Sequence, residues 1–320
     1  MLIYFAGLIA GLILLVFSAD RFVFGTAAIA RNLGVPPLIV GLTIVGFGTS
    51  TPEILVSAIA SWQGNPGLAV GNALGSNIAN IGLILGCTAL IMPIAVHSGT
   101  LRRELPILLL TSLACYGLSL YAGLNRIDGL VMVAGLIVFM AWLTETAIHH
   151  RRDPLNAEIE KEVPQAIPTS MALLWFIIGL VGLLLSSHLL VWAAVRIAKD
   201  LGVSDLIIGL TVVALGTSLP ELATSIAGVL RKEDDLVIGN IIGSNMFNLL
   251  AVYSIAGIIH PGPLEHSVLT RDFPWMIGFT SALFLVAFQV RSKKRISRLE
   301  GGLLLSGYCG YQALLYQSTL

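Results

Sequence analysis

Gly41-Leu-Thr-Ile-Val-Gly-Phe-Gly48-Thr49-Ser50-Thr51-Pro52-Glu53 occurs a second time as Gly209-Leu-Thr-Val-Val-Ala-Leu-Gly216-Thr217-Ser218-Leu219-Pro220-Glu221. Between Leu33–Ser57 and Leu201–Ser225, 15 of 25 positions are identical at a constant offset of 168. Without a gap, the same offset carries Gly71-Asn72-Ala-Leu-Gly75-Ser76-Asn77-Ile-Ala-Asn80 onto Gly239-Asn240-Ile-Ile-Gly243-Ser244-Asn245-Met-Phe-Asn248. A repeat this long within one chain means two copies of one structural unit. Each copy carries a glutamate into an apolar run.

The surrounding chain is apolar as well. Of its 320 residues 56% are hydrophobic and only 11% charged, with a mean hydropathy of +0.89; soluble domains carry roughly 25% charged residues. This is the composition of a polytopic membrane protein. The 18 basic and 18 acidic residues cancel, which gives no footing for a nucleic-acid partner. Cys87, Cys115 and Cys309 are scattered in apolar runs and read as small hydrophobes, with no disulfide or metal spacing. Met1 to Phe17 has no basic leader region and runs straight into more helix, so it is expected to stay as a first span.

A helix needs about 20 apolar residues to cross a bilayer. Ten segments qualify, at 2–24, 37–60, 68–92, 104–122, 127–147, 169–197, 205–229, 236–259, 273–290 and 299–317. The expected fold is therefore an all-α bundle in two five-helix halves. Residues 1–148 hold the first repeat (33–81) and residues 169–320 the second (201–249). The polar stretch 149–168 is the cytoplasmic linker between them. With the N-terminus outside, inner loops hold 13 Lys and Arg, including Arg102, Arg103, Arg151, Arg152, Arg231, Lys232 and Arg298. Outer segments hold four: Arg126, Arg196, Lys199 and Arg271. That asymmetry places both termini outside a plasma (bacterial inner) membrane. Five spans per half is an odd number, so the second half enters from the opposite side and the copies run antiparallel, as in inverted-repeat transporters. Gly71, Gly75, Gly239 and Gly243 have the small-xxx-small spacing of close helix crossings.

The motif chemistry is that of oxygen ligands. Pro52 and Pro220 have no N–H to give the carbonyls of Gly48 and Gly216, and their rings crowd those carbonyls. In lipid a freed carbonyl is tolerated only toward a protein-lined cavity or an ion. Each Gly-Thr-Ser-x-Pro-Glu thus gathers backbone oxygens, two hydroxyls and a carboxylate within one turn, a shell suited to hard cations such as Na⁺ and Ca²⁺. A charged carboxylate at mid-span costs about 2.5–3.5 kcal/mol on insertion scales, and no Lys or Arg lies at that depth in either motif span. A cation or a proton is the remaining counter-charge. Asn77 and Asn80, like Asn245 and Asn248, lie three apart on one helix face, and with Ser76 and Ser244 can complete a cation shell without adding charge.

These paired motifs resemble the α-repeats of the sodium/calcium exchanger family, within the cation/calcium antiporter superfamily, in its small bacterial and archaeal form. The resemblance spans nearly the whole chain. It implies ten helices, with ion sites between the second, third, seventh and eighth, and with the first and sixth sliding across them. It also implies that Glu53 and Glu221 bind Ca²⁺ and share Na⁺. The carbonyls of Thr49, Thr217, Gly46 and Ala214 would join them, with Ser50, Ser218, Ser76 and Ser244 at flanking sodium sites and Asn80 and Asn248 central. Sodium-coupled relatives carry Asp where this chain has Asn248, which leaves Na⁺ and H⁺ both open as the coupling ion.

The function expected is exchange of Ca²⁺ for Na⁺, with Ca²⁺/H⁺ exchange as the alternative and a cation channel as the reading from another class. An enzyme is not expected, because no nucleophile–base pair or His-rich motif lies at depth. Neither is a cofactor apart from the transported ions, nor an obligate protein partner. Smaller candidates read as structural: His188, matching Asp20, as a packing residue; Glu145 and Arg126 as interfacial; and Arg231-Lys-Glu-Asp-Asp235 as a solvated loop. His149, His150, His260 and His266 have no metal spacing.

Overall fold

The computed structural model describes residues 2–96, 101–152, 167–201, 214–288 and 295–319. Its helices are α1 (Leu2–Leu33), α2 (Pro37–Thr49), α3 (Thr51–Trp62), α4 (Pro66–Ile91), α5 (Leu101–Ala122) and α6 (Arg126–Arg152). In the second half they are α7 (Thr169–Asp200), α8 (Ala214–Thr217), α9 (Leu219–Leu230), α10 (Asp234–Ile259), α11 (Phe273–Phe288) and α12 (Arg298–Thr319). Among the described residues six helices are long and apolar enough to cross a membrane, or seven if the bent pair α2 and α3 is one span. Helices α9, α11 and α12 occupy the other three expected stretches. Most of the expected linker, and the start of the second repeat through position 213, lie outside the described residues.

The proline in each motif breaks its helix as expected. Between α2 and α3 the chain bends by 44°. Ser50 (φ −84°, ψ 4°) and Ser218 (φ −90°, ψ 4°) have nearly the same backbone, and each has a proline two residues on, in the first turn of the next helix. The local sequence thus dictates the same break twice. A second matched irregularity is a wide π-turn at Asn80–Leu85 in α4 and at Asn248–Tyr253 in α10. Such turns recur at functional positions because they re-aim side chains.

Helices α4 and α10 form the centre and are buried along most of their length. α1 lies lengthwise on α7, where glycines allow close approach: a Cβ on Gly25 would meet the Phe176 nitrogen at 2.5 Å. α2 crosses α10 in the same way. A Cβ on Gly41 would lie 3.0 Å from the Asn240 nitrogen and the Gly239 Cα, and one on Gly46 3.0 Å from the Ser244 nitrogen. The expected packing role of Gly239 and Gly243 therefore holds. Around Gly71 and Gly75 no described atom lies within 4 Å of an added Cβ. A short antiparallel pairing of Ile94–Ala95 with Arg295–Ile296 closes one end.

The outside of the bundle is apolar: Leu2, Ile3, Ile9, Ile13, Ile137 and Val138 are all exposed, as lipid contact requires. The interior is largely apolar too, but it encloses a polar cluster, with Glu53, Glu221, Asn77, Asn80, Asn240, Asn245 and Asn248 all buried.

Two ion pairs correct the reading of Arg231–Asp235 as a solvated loop. Arg231 holds Asp20 of α1 at 2.6 Å and stacks on Phe24, while Arg31 pairs with Glu233 at 3.3 Å. Burial pushes the Glu233 carboxyl above its ordinary range, against the pull of Arg31 and Arg231. Asp234 Oδ2 accepts a hydrogen bond from the Ala95 amide at 2.9 Å. The segment is stitched to α1 and to the small β pairing because Arg231, Glu233 and Asp234 find partners from other elements.

Close backbone approach makes the α2–α10 crossing intolerant of bulk. A Cβ at Gly243 would come within 2.8 Å of the Leu42 Cα and carbonyl carbon. Gly243→Ala is expected to cost about 1–3 kcal/mol, seen as a lower melting temperature of the purified protein. Gly278→Ala, where nothing lies within 4 Å, should melt at or above the wild-type temperature.

Candidate functional site

The site is built where the two broken helices meet the two central ones. Glu53 and Glu221 lie in the first turns of α3 and α9, where unpaired helical N–H groups and the helix dipole favour a carboxylate. They are 1% and 2% exposed. The Glu53 carboxyl lies within electrostatic reach of Glu221 and beside the Thr217 hydroxyl, while Glu221 lies beside the hydroxyls of Thr49 and Ser50. Each carboxylate thus faces hydroxyls of the other repeat.

Further contacts join this pair to α4 and α10. The Thr49 hydroxyl donates to Asn240 Oδ1 at 3.1 Å and lies 3.3 Å from Ser244 Oγ. Asn80 Nδ2 donates to Asn245 Oδ1 at 3.0 Å, a bond between the two copies. Ser76 and Ser218 are buried nearby in sequence, on α4 and at the break before α9. Gly46 is the backbone contact with Gly243 and Ser244. Asn77 diverges from the rest: its Nδ2 reaches Met276 Sδ of α11 at 3.6 Å. Ala214 begins α8, and its side chain lies outside the described residues.

Although hydroxyls lie near the carboxylates, many of these oxygens complete no hydrogen bond among the described residues: both of Glu53, Oε2 of Glu221, Ser50 Oγ, and the amide oxygens of Asn77, Asn80 and Asn248. Buried polar atoms are nearly always satisfied, because a lone one costs about 1–3 kcal/mol. Seven on one set of residues, beside the unpartnered amide nitrogens of Asn240 and Asn245, leave oxygens available to an electropositive group. The donors are hard oxygens with two carboxylates; among the described residues no cluster of three His, Cys, Asp or Glu is present. The set fits Na⁺ or Ca²⁺ better than a soft metal.

The first repeat and the second are not satisfied alike. Ser187 Oγ of α7 donates to the Gly216 carbonyl at 2.6 Å, filling the bond that Pro220 cannot make. Its counterpart at the 168 offset is Ala19, which has no hydroxyl. Asn72, Asn240 and Ser57 also belong to this network, and Ser225 is buried beside it in sequence without a bond among the described residues. The duplication carried them in the sequence, yet nothing in composition separated them from packing residues. The smaller candidates stand apart: His188, Glu145 and Arg126 are exposed. An apolar recess of about 450 Å³ between α11 and α12, lined by Trp275, Phe279 and Leu304, touches none of the site residues.

Two further buried carboxylates, Glu104 and Asp272, lie outside this set. Arg103-Glu104-Leu105-Pro106 matches Arg271-Asp272-Phe273-Pro274 at the same offset. Asp272 accepts from Arg271 Nε at 2.7 Å and from the Tyr311 hydroxyl at 3.0 Å. Glu104 is 1% exposed and, among the described residues, neither of its oxygens has a hydrogen-bond partner; at the position matching Tyr311 stands Leu143.

A polytopic membrane protein with a duplicated, inward-turned oxygen cluster is the class that fold and site define. The family model for the sodium/calcium exchanger protein matches residues 3–145 and 171–317, and the chain belongs to that family. It is 50% identical to CaxA of Alkalimonas amylolytica over 97% of this chain and 98% of that one. It is 42% identical to the inner membrane protein YrbG of Escherichia coli, over 99% and 98%. The sodium/calcium exchanger MaX1 of Methanosarcina acetivorans is 28% identical over 97% of each chain. A solved structure of the sodium–calcium exchanger NCX_Mj, soaked with 10 mM Na⁺ and zero Ca²⁺, aligns with a TM-score of 0.85 at 33% identity, covering 98% of this chain and 99% of that one.

The contrast between Asp272 and Glu104 gives a stability prediction. Tyr311→Phe removes a donor from a buried carboxylate and should cost about 1–3 kcal/mol. Glu104→Gln loses no hydrogen bond and should leave thermal unfolding unchanged or raise its midpoint.

Proposed function

We propose that this protein exchanges Ca²⁺ for Na⁺ across the membrane by alternating access, with Glu53 and Glu221 as shared cation ligands. The observation that carries this reading is the set of seven buried, unpartnered oxygens on residues that the sequence duplicates. Thr49, Ser50, Thr217, Ser218, Ser76, Ser244, Asn80 and Asn248, with the carbonyls of Gly46 and Ala214, complete the shell, and Asn77 and Asn245 support it. Two carboxylates leave the site at −2 without cations, a charge too costly to carry through a low-dielectric gate. One Ca²⁺, or several Na⁺, neutralises it. If only neutralised forms reorient, obligatory exchange follows.

The frame for this motion is ten helices in two inverted halves, with both termini outside and the basic loops inside an inner membrane. The matched breaks at Ser50 and Ser218 support that frame, as do the matched π-turns and the printed names of NCX_Mj, MaX1 and YrbG. Ca²⁺/H⁺ exchange is the second reading, favoured by one observation: Asn248, buried with an unpartnered amide oxygen, cannot carry the charge that an Asp there would.

Proteoliposomes decide between them. Calcium uptake driven by internal Na⁺ is expected, falling at least about 100-fold in Glu53→Gln and Glu221→Gln, since loss of a buried charged ligand is worth about 3–5 kcal/mol. A normal exchange rate in Glu53→Gln would overturn the assignment of the shared ligand. Uptake driven only by a proton gradient would move the coupling ion to H⁺, and uptake without any gradient would make the protein a channel.

A further inference from the structure

The two repeats are alike in sequence and unlike in bonding at one pair of positions. Asn72 Nδ2 donates to the Glu53 carbonyl oxygen at 3.2 Å and to Ser57 Oγ at 3.0 Å. This braces the carboxylate-bearing helix α3 against α4 of its own repeat. At the 168 offset the same three residues are Asn240, Glu221 and Ser225. There the brace is not made. Asn240 Oδ1 accepts from Thr49 of the other repeat at 3.1 Å, and Asn240 Nδ2 and Ser225 Oγ are buried without a partner among the described residues.

The unpartnered amide and hydroxyl of the second repeat are the two groups that the first repeat joins. In a pair of inverted halves, exchanging the conformations of the halves exchanges the side from which the centre is reached. We infer that Asn72 and Asn240 are positioning residues that alternate. In the state of this structure Asn72 braces Glu53 while Asn240 is turned across the interface to Thr49. In the opposite-facing state Asn240 bonds the Glu221 carbonyl and Ser225, and Asn72 turns across toward Thr217. Each carboxylate-bearing helix is then braced through its backbone by its own repeat on one half of the cycle and released on the other. This rests on the alternating-access reading above.

Ser57 and Ser225 separate the two states cleanly, because each completes the brace in only one of them. Ser57→Ala weakens the present state and Ser225→Ala the opposite one. The full-length protein in lipid nanodiscs is followed by hydrogen–deuterium exchange of α3 and α9, a readout that needs no transported ion. One hydrogen bond changes a two-state ratio about threefold to tenfold. Ser57→Ala and Ser225→Ala should therefore shift the ratio of α3 to α9 exchange by that factor in opposite directions, and the double variant should return it to wild type. Shifts in the same direction, or none in Ser225→Ala, would overturn the inference. Should Ser57→Ala fail to fold, Ser225→Ala decides alone, since its hydroxyl makes no bond in this structure. Opposite shifts in a protein that exchanges no Na⁺ for Ca²⁺ would count against the assigned ions and leave the alternating brace standing.

Discussion

Two carboxylates buried in the middle of an apolar bundle, with no ion pair to a basic side chain among the described residues, set the terms for everything around them. An isolated buried carboxylate is among the most expensive groups a fold can hold, and two within electrostatic reach add repulsion. The structure answers with partial charges alone. First-turn positions lend each glutamate a helix N-terminus, and hydroxyls of the opposite repeat lie beside it. Neutral dipoles soften the cost without cancelling it, and the proposed cations would supply the remaining counter-charge.

Backbone contact makes that arrangement possible. The hydroxyl of Thr49 reaches Asn240 and Ser244 only because Gly41 and Gly46 let α2 lie against Gly239 and Gly243 of α10. A crossing this close leaves no room for lipid or bulky side chains and brings polar groups of both repeats into one volume. The helix breaks act in the same direction. Proline withholds an N–H from a carbonyl one turn back, and Ser187 of α7 takes up one of the two carbonyls so freed. The first helix of the second half is thus bonded to the motif it is expected to slide across.

The charges at the membrane edge follow a different logic from those at the centre. Asp20 with Arg231, and Arg31 with Glu233, are cross-element ion pairs at partly exposed positions. At the 168 offset their counterparts are His188 with Gln63 and Lys199 with Asn65, which make no acid–base pair. Duplication supplied two equal halves, and substitution then made their two ends unequal. Membership of the sodium/calcium exchanger family is consistent with such a chain, in which the buried motif residues are kept in duplicate while these charged positions diverge.

Much of this was legible in the residues alone. The repeat at a fixed offset gave the two copies, the apolar runs gave the membrane, and Gly-Thr-Ser-x-Pro-Glu gave both the helix breaks and the oxygen chemistry, because each rests on short-range constraints: hydropathy over one span, proline's missing donor, and side-chain donor type. What only the tertiary structure decided was which oxygens remain unpartnered, that Asn77 turns to Met276, that Arg231–Asp235 is stitched to α1, and that Asn72 and Asn240 bond differently. Those depend on contacts between residues more than a hundred positions apart, as from Thr49 to Asn240 or Asp20 to Arg231. Identical local sequence cannot specify unequal partners; only the packing of one copy against the other can.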